Sequence, residues 1–371
     1  MMKSFRILIV TLAVVLMLAA CAYNNINFNS VERVETEQSE QPPVKSPEPT
    51  DKKFEAEDLI VMSRPEKYTY DNLMYDISLL QEIYGEIIQV TKLCETVDGR
   101  DVCDIIIGNQ QGDNQILIFG AMHAREYITT QLVMRQLIDC LKVLSDAADE
   151  EYRGISKKEL LQNITIHFVP MSNPDGVSIS QFGLDGINSD HVRSAVEQMN
   201  CDDYRQWKAN AEGVDLNRNF DAGWYEYEGA MQPSFERYKG EYPGSANEAD
   251  ALIKLTEDYK FDRTISYHTC GALIYWYYLQ EGEVLEASRA FAKELSDETG
   301  YVLDENYQAV DAAGYKDWAV YQMGIPSVTI EVGNENGGGI VNPVPISNFP
   351  NIWNRNKNVV YATAYNLKYG T

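Results

Sequence analysis

Helical and extended patterns alternate along most of this chain. In YDNLMYDISLLQEIYG, residues 70–85, apolar positions recur every three to four residues, the spacing of one buried helix face. The same period predicts helices over TTQLVMRQLIDCLKVL (129–144), EADALIKLTEDY (248–259), EASRAFAKELSDETG (286–300) and NVVYATAYNLKYG (358–370). Short, continuous apolar runs fall between them. These are QILIFGAM (115–122), ITIHFVP (164–170), the start of RTISYHTCGALIYWYY (263–278) and PSVTIEVG (326–333). Their length and β-branched content predict strands buried on both faces. KLCETVDGRDVCDIII (92–107) reads as a hairpin with Asp98-Gly99 as a two-residue turn. In that register Cys94 faces Cys103, at the short end of disulfide geometry. A disulfide and a pair of small buried hydrophobic residues both suit the spacing. Strands alternating with helices predict an α/β fold with a mixed, largely parallel sheet flanked by helices.

The first 64 residues break this rhythm. Lys3 and Arg6 precede an apolar run, Ile7 to Ala20, of 14 residues. A membrane span needs about 20, so the run reads as a secretory signal over residues 1–20. It ends in Leu18-Ala19-Ala20-Cys21, which resembles the lipobox of bacterial lipoproteins, where the cysteine carries the lipid. A plain signal peptide or an uncleaved anchor is the alternative. Residues 21–64, rich in Asn, Glu, Gln, Ser and Pro, cannot bury enough surface to offset chain entropy and predict a flexible tether. The expectation is an exported protein, lipid-anchored at the outer face of a bacterial cytoplasmic membrane, with one folded domain over residues 65–371. Export permits a Cys94–Cys103 bond.

The formal charge of -25 is spread through the chain, without the Lys and Arg clusters that phosphate binding needs. Nucleic acid is thereby excluded as a partner. The 44% hydrophobic content is enough for a sizeable core.

One strand ends in an unusual way. ILIFGAMHAREYITTQL, residues 116–132, passes from a buried run to His123, Arg125 and Glu126 and then straight into a helix. Ligands of α/β sheets bind beyond the carboxyl ends of strands. His123 and Glu126, three residues apart, can point the same way from one helical turn. Imidazole and carboxylate are zinc ligands, and a catalytic zinc takes three protein ligands with one open position. Of the three other histidines, His167 sits inside a strand and suits the core, and His191 lies in a polar stretch. His268 ends the strand RTISYH, placed like His123.

On these motifs the chain resembles the M14 family of zinc carboxypeptidases from about residue 66 to its end. The resemblance implies that His123, Glu126 and His268 hold one zinc ion. It implies that Asn217 and Arg218, in GVDLNRNF, clamp a substrate carboxylate, and that Glu331, in TIEVG, is the catalytic glutamate. NPDG, residues 173–176, is the expected turn. Arg125 would polarise the scissile carbonyl or bind substrate. YQAVDAAGYKDW matches the mobile loop with a substrate-facing tyrosine, taken as Tyr307, with Tyr315 as the alternative. The chemistry suits each role. An arginine grips a carboxylate bidentately, and a strand-end glutamate can take a proton from water and pass it on.

The digestive members of the family carry a further, oxyanion-stabilising arginine upstream of the clamp. Here that stretch is YRQWKANAEGVDLNRNF, which places Asn210 or Ala211 there, with Arg205 and Lys208 close but unmatched. WKAN, YHTCGALIYWYY and GYKDW look more like the bacterial γ-D-glutamyl-diamino acid peptidase branch. That likeness implies a peptidoglycan stem peptide as substrate, cut between γ-D-glutamate and diaminopimelate. Lys316, at the position lining the specificity pocket, would favour a carboxylate there. The alternatives are a general metallocarboxypeptidase of external peptides and an inactive, lipid-tethered peptide-binding protein.

Overall fold

The computed structural model describes residues 54–147, 150–305, 312–335, 337, 339 and 341–370. The proposed signal, Cys21 and most of the tether lie outside the described residues, as does Tyr307.

Eight strands form the main sheet: β1 (Ile88–Glu95), β2 (Asp101–Gly108), β3 (Asn114–Phe119), β6 (Ile164–Val169), β7 (Arg263–Thr269), β8 (Leu273–Tyr275), β9 (Val302–Leu303) and β10 (Ser327–Val332). Between β3 and β6, β4 (Glu151–Tyr152) and β5 (Ile155–Ser156) make a separate small hairpin. The order across the main sheet is β1-β2-β6-β3-β7-β10-β8-β9. The central strands β6, β3, β7 and β10 pair in parallel. β1 with β2, β2 with β6 and β10 with β8 pair antiparallel. This is the mixed sheet that the alternating pattern predicts. Every residue of β6 is buried, as a strand covered on both faces requires.

Long helices pack on the sheet: α1 (Tyr70–Tyr84), α2 (Ile128–Leu144), α3 (Asn247–Tyr259), α4 (Gly282–Thr299) and α5 (Val359–Tyr369). α1 begins at a reciprocal cap. Thr69 Oγ1 accepts from Asn72 N (3.1 Å) and Asn72 Oδ1 accepts from Thr69 N (3.2 Å). α2 is buried on most sides and follows directly from the polar cluster at 123–126.

Two expectations need correction. The folded unit starts near Phe54, not at residue 65. Leu59 and Val61 are fully buried, and Asp76 accepts from Ile60 N (2.7 Å), Val61 N (2.9 Å) and Tyr68 Oη (2.7 Å). Two apolar residues and a buried carboxylate are enough to pin a segment whose composition reads as tether. Second, Cys94 and Cys103 do not face each other, and both are free thiols. The connection carries one residue more than a two-residue turn. Thr96 N donates to Arg100 O (2.8 Å), with Gly99 in the left-handed region (φ 82°). A bulge between Lys92 and Cys94 shifts the register again, so Cys103 faces Lys92 and Cys94 faces Val102.

Candidate active site and metal centre

The site is built where β3, β7 and β10 end. After Phe119 the chain turns sharply through Gly120 and Ala121. A side chain at Gly120 would press on Thr129, and Ala121 is left-handed (φ 50°), its N–H donating to Thr129 Oγ1 (2.8 Å). Thr129 Oγ1 in turn donates to Glu126 O (2.8 Å). This turn delivers His123 and Glu126 from the strand end, on either side of a single 3₁₀ turn, Ala124–Glu126. Asn173 braces it, donating to Met122 O and Ala209 O (both 3.1 Å) while capping helix Pro174–Phe182. The NPDG segment is thus a helix start that ties two loops of the site together. His268 is the penultimate residue of β7, and the parallel register with β10 sets Glu331 beside it.

His123, Glu126 and His268 converge. The two Nδ1 atoms are 3.0 Å apart, His123 Nδ1 is 3.0 Å from Glu126 Oε1, and His268 Nδ1 is 2.9 Å from Glu126 Oε2. All three are buried. Donors at such separations leave a point roughly 2.1 Å from each, the zinc–nitrogen and zinc–oxygen distance. Two imidazoles and a carboxylate converging out of water are a donor set that fits one zinc ion. His123 Nε2 lies 3.2 Å from the buried Asp215 Oδ1, an orienting carboxylate behind a ligand. Asp215 Oδ2 accepts from Lys208 Nζ (3.0 Å) and Arg237 N (3.1 Å).

The electrostatics of the three donors differ: burial would lower His268, but the Glu126 carboxylate beside it raises it above the usual imidazole range. Burial would raise the Glu126 carboxyl, but the imidazoles of His123 and His268 overcome it and hold the group well below its usual range. Burial, with the nearby Lys208 ammonium, lowers His123 and favours the neutral ring that a metal needs. Burial and the Glu126 charge push Glu331 up to about 7. Its Oε2 is buried without a hydrogen bond.

One cavity of about 430 Å³ gathers the sequence-derived residues His123, Glu126, Arg125, Asn217, Arg218, Lys316 and Glu331. Asn217 Oδ1 accepts from Tyr315 N (3.0 Å), which leaves its amide NH2 to offer to a ligand. Arg218 lies over the Tyr227 ring, 5.2 Å from its centroid. Lys316 donates to Tyr277 O (2.8 Å) and pairs with Asp317. Tyr315 is not a substrate-facing residue. It is fully buried against Phe119, Phe220 and Trp318, its hydroxyl 2.8 Å from Thr256 Oγ1. Arg205 is also elsewhere, exposed and paired with Asp203. Asn210 is buried, its amide donating to Glu248 Oε2 (3.0 Å), and Ala211 is buried in an apolar cluster. Lys208 does reach the cavity. Sequence reasoning left Lys208 unmatched and passed over Asp215, although Asp215 stands two residues before Asn217 in the clamp motif.

A histidine–glutamate–histidine group able to hold a metal at the strand ends of an α/β sheet, beside a glutamate, an asparagine and an arginine, suits a metallohydrolase. The chain belongs to the zinc carboxypeptidase family, peptidase M14, whose model matches residues 75–359. It is a zinc metallopeptidase. Gamma-D-glutamyl-L-diamino acid endopeptidase 1 of Lysinibacillus sphaericus is 34% identical over 306 residues, 81% of this chain and 73% of that protein. The uncharacterized protein YqgT of Bacillus subtilis is 26% identical over 79% of this chain and 77% of its own. The fold is shared with the crystal structure of thrombin activatable fibrinolysis inhibitor (TM-score 0.62, 19% identity, 80% of this chain and 73% of that one). Carboxypeptidase A from Helicoverpa armigera gives a TM-score of 0.61 at 17% identity, over 84% and 80% of the two chains.

Proposed function

We propose that this protein hydrolyses the bond between γ-D-glutamate and a diamino acid in peptidoglycan stem peptides. The observation that carries the hydrolysis is Glu331 paired across the sheet with His268 of a convergent His123–Glu126–His268 group, in a cavity that His123, Glu126 and Glu331 line. A bound zinc ion supplies a Lewis acid for the scissile carbonyl and lowers the pKa of a water molecule toward neutrality. Glu331 takes the proton of the attacking water and passes it to the leaving amine. Asn217 and Arg218 hold the free carboxylate of the leaving residue. Lys208 places an ammonium near the carbonyl oxygen as negative charge develops on it, the task of the absent arginine.

The substrate class rests on the Lysinibacillus relative and on the leaving-residue side of the cavity. There the cation Lys316 stands next to Asp317 and near Asp304. Opposite charges side by side suit the far end of a diamino acid that carries both an ammonium and a carboxylate. Cys21 as a lipid anchor, and with it a position at the outer face of the cytoplasmic membrane, is proposed from the sequence alone. Mass spectrometry of γ-D-Glu-diaminopimelate peptides and of ordinary C-terminal peptides, with and without chelator, tests the reading. Chelator-sensitive cleavage of the first is expected. Cleavage of ordinary peptides only makes the protein a general metallocarboxypeptidase. No turnover with zinc bound makes it a binding protein.

A further inference from the structure

The cavity holds more positive charge than one carboxylate clamp needs. On a chain of net charge -25, Arg125, Lys208, Arg218 and Lys316 all line it. Arg218 and Lys316 are held by Asn217 and Tyr227 and by Tyr277 and Asp317 respectively. Arg125 is held by a different set of residues. Its Nη1 donates to Gln206 O (3.0 Å) and lies 3.5 Å from Glu236 Oε2. Gln206 Nε2 then donates to Asn342 O (2.7 Å), and Asn342 Oδ1 accepts from Thr269 Oγ1 (2.5 Å), next to His268.

The guanidinium is therefore fixed by one nitrogen. Its Nε is buried with no hydrogen-bond partner, and among the described residues no hydrogen bond engages Nη2. A buried N–H left unpaired costs roughly 1–3 kcal/mol, so an arginine held this way has an edge waiting for an acceptor. The Nε–Nη2 edge presents two parallel donors, the geometry that takes a carboxylate bidentately. Ala124 N donates to Lys208 O (3.0 Å), which docks the turn carrying Arg125 on the segment carrying the Lys208 ammonium.

We propose that Arg125 is a second carboxylate receptor, reading an acidic group on the acyl side of the scissile bond. This rests on the γ-glutamyl reading above and extends it. An ordinary C-terminal peptide brings one obligatory carboxylate, which the Asn217–Arg218 clamp takes. A γ-linked glutamate brings another, its own α-carboxylate, three carbons from the carbonyl under attack. Arg125 makes the site selective for this second anion and so for γ-linked over α-linked acyl groups.

The test compares L-Ala-γ-D-Glu-diaminopimelate with the same peptide whose glutamate α-carboxylate is an amide. The zinc-loaded wild type is set beside Arg125→Gln and Arg125→Lys. Amidation should lower wild-type kcat/KM by about 10- to 100-fold, mainly through KM, the worth of a charge-assisted pair. Arg125→Gln should lose about as much on the acid and no longer distinguish the two peptides. Arg125→Lys, charged but without the fork, should keep a small part of the preference. Calorimetric binding of the acyl product L-Ala-D-Glu and its α-amide should show the same pattern without turnover. Equal wild-type rates on both peptides, or an Arg125→Gln loss equal on both, would make Arg125 a support for the 206–208 segment and overturn the proposal alone. Cleavage of ordinary peptides with neither γ-linked peptide touched would remove the γ-glutamyl reading and this proposal with it.

Discussion

Among the described residues, one buried set of histidine and carboxylate lies within the sheet and another gathers at its carboxyl edge, and only the second groups donors that could hold a metal. His167 and Asp104, on the neighbouring strands β6 and β2, are 0% and 1% exposed, with Nδ1 2.7 Å from Oδ2. His123, His268 and Glu126 are 6%, 1% and 3% exposed, at similar contact distances. Neither burial nor hydrogen bonding separates them. Position along the strand does. His167 stands mid-strand, its ring packed against Tyr259 (4.2 Å between centroids) and Phe261 (5.1 Å). His268 stands one residue from the end of β7, where a parallel sheet opens onto its crevice. The same pair of residue types is a core contact in one place and a ligand set in the other.

The strongest way to break this comparison is to exchange the fates of the two sets. Chelation, or His268→Ala, should abolish hydrolysis together with bound zinc. Zinc should restore the chelated wild type but not the variant. His167→Leu should leave turnover per bound zinc within about twofold. It should cost about 1–3 kcal/mol in denaturant unfolding, because Asp104 keeps its burial and loses its partner. Zinc loss in His167→Leu, or full activity in His268→Ala, would mean that strand position is the wrong criterion.

Next in size is Glu331→Gln. The amide fills the same space and cannot take a proton, so kcat should fall by about 10²–10⁴. Zinc stoichiometry should not change, since Glu331 stands beside the ligands without being one. A drop in bound zinc would move Glu331 into the ligand set.

Lys208 divides the metal centre from its support. As a stabiliser of the developing oxyanion it should cost about 10²–10³ in kcat when replaced by Met, with KM and zinc content steady and Lys208→Arg largely active. If Lys208 serves only to hold Asp215 behind His123, the loss should appear in zinc affinity instead, and Asp215→Asn should reproduce it.

Strand position is also what made the site legible from sequence. With four histidines in the chain, two at the ends of apolar runs and one inside a run, position made His123, Glu126 and His268 candidates, and the family resemblance joined them into one ligand set. The helices were legible because each is long and periodic, and the central strands because each is a short, unbroken apolar run between polar segments. The hairpin register was not. A dipeptide at a turn does not reveal that the connection takes a third residue or that Leu93 bulges, and each shifts the pairing by one. The packed start at residues 54–64 was hidden by its polar neighbours. Lys208 and Asp215 escaped because they sit on loops, where no periodicity says which way a side chain turns.

A third buried carboxylate sharpens the comparison with a smaller effect. Glu248, in the first turn of α3, is 2% exposed and has an amide, Asn210, where Glu126 has two imidazoles. Burial, with the charges of Asp175 and Glu212 and only partial relief from Asn210, pushes its carboxyl up to about 8. A glutamate in water titrates near 4.5. Between these two pH values the unfolded chain has released the proton and the folded chain keeps it. Fewer protons bound in the unfolded state means that stability falls as pH rises through this window, and levels off above about 8. Glu248→Gln removes the titration and leaves an oxygen for Asn210 to donate to. Thermal melts of the two proteins should keep a constant separation below pH 4.5 and then diverge, the variant gaining a few °C by pH 8. A gap that stays flat across this range would mean that Glu248 is ionised in the folded protein. Burial without a facing cation would then be too weak a criterion for telling structural carboxylates from those that bind metal.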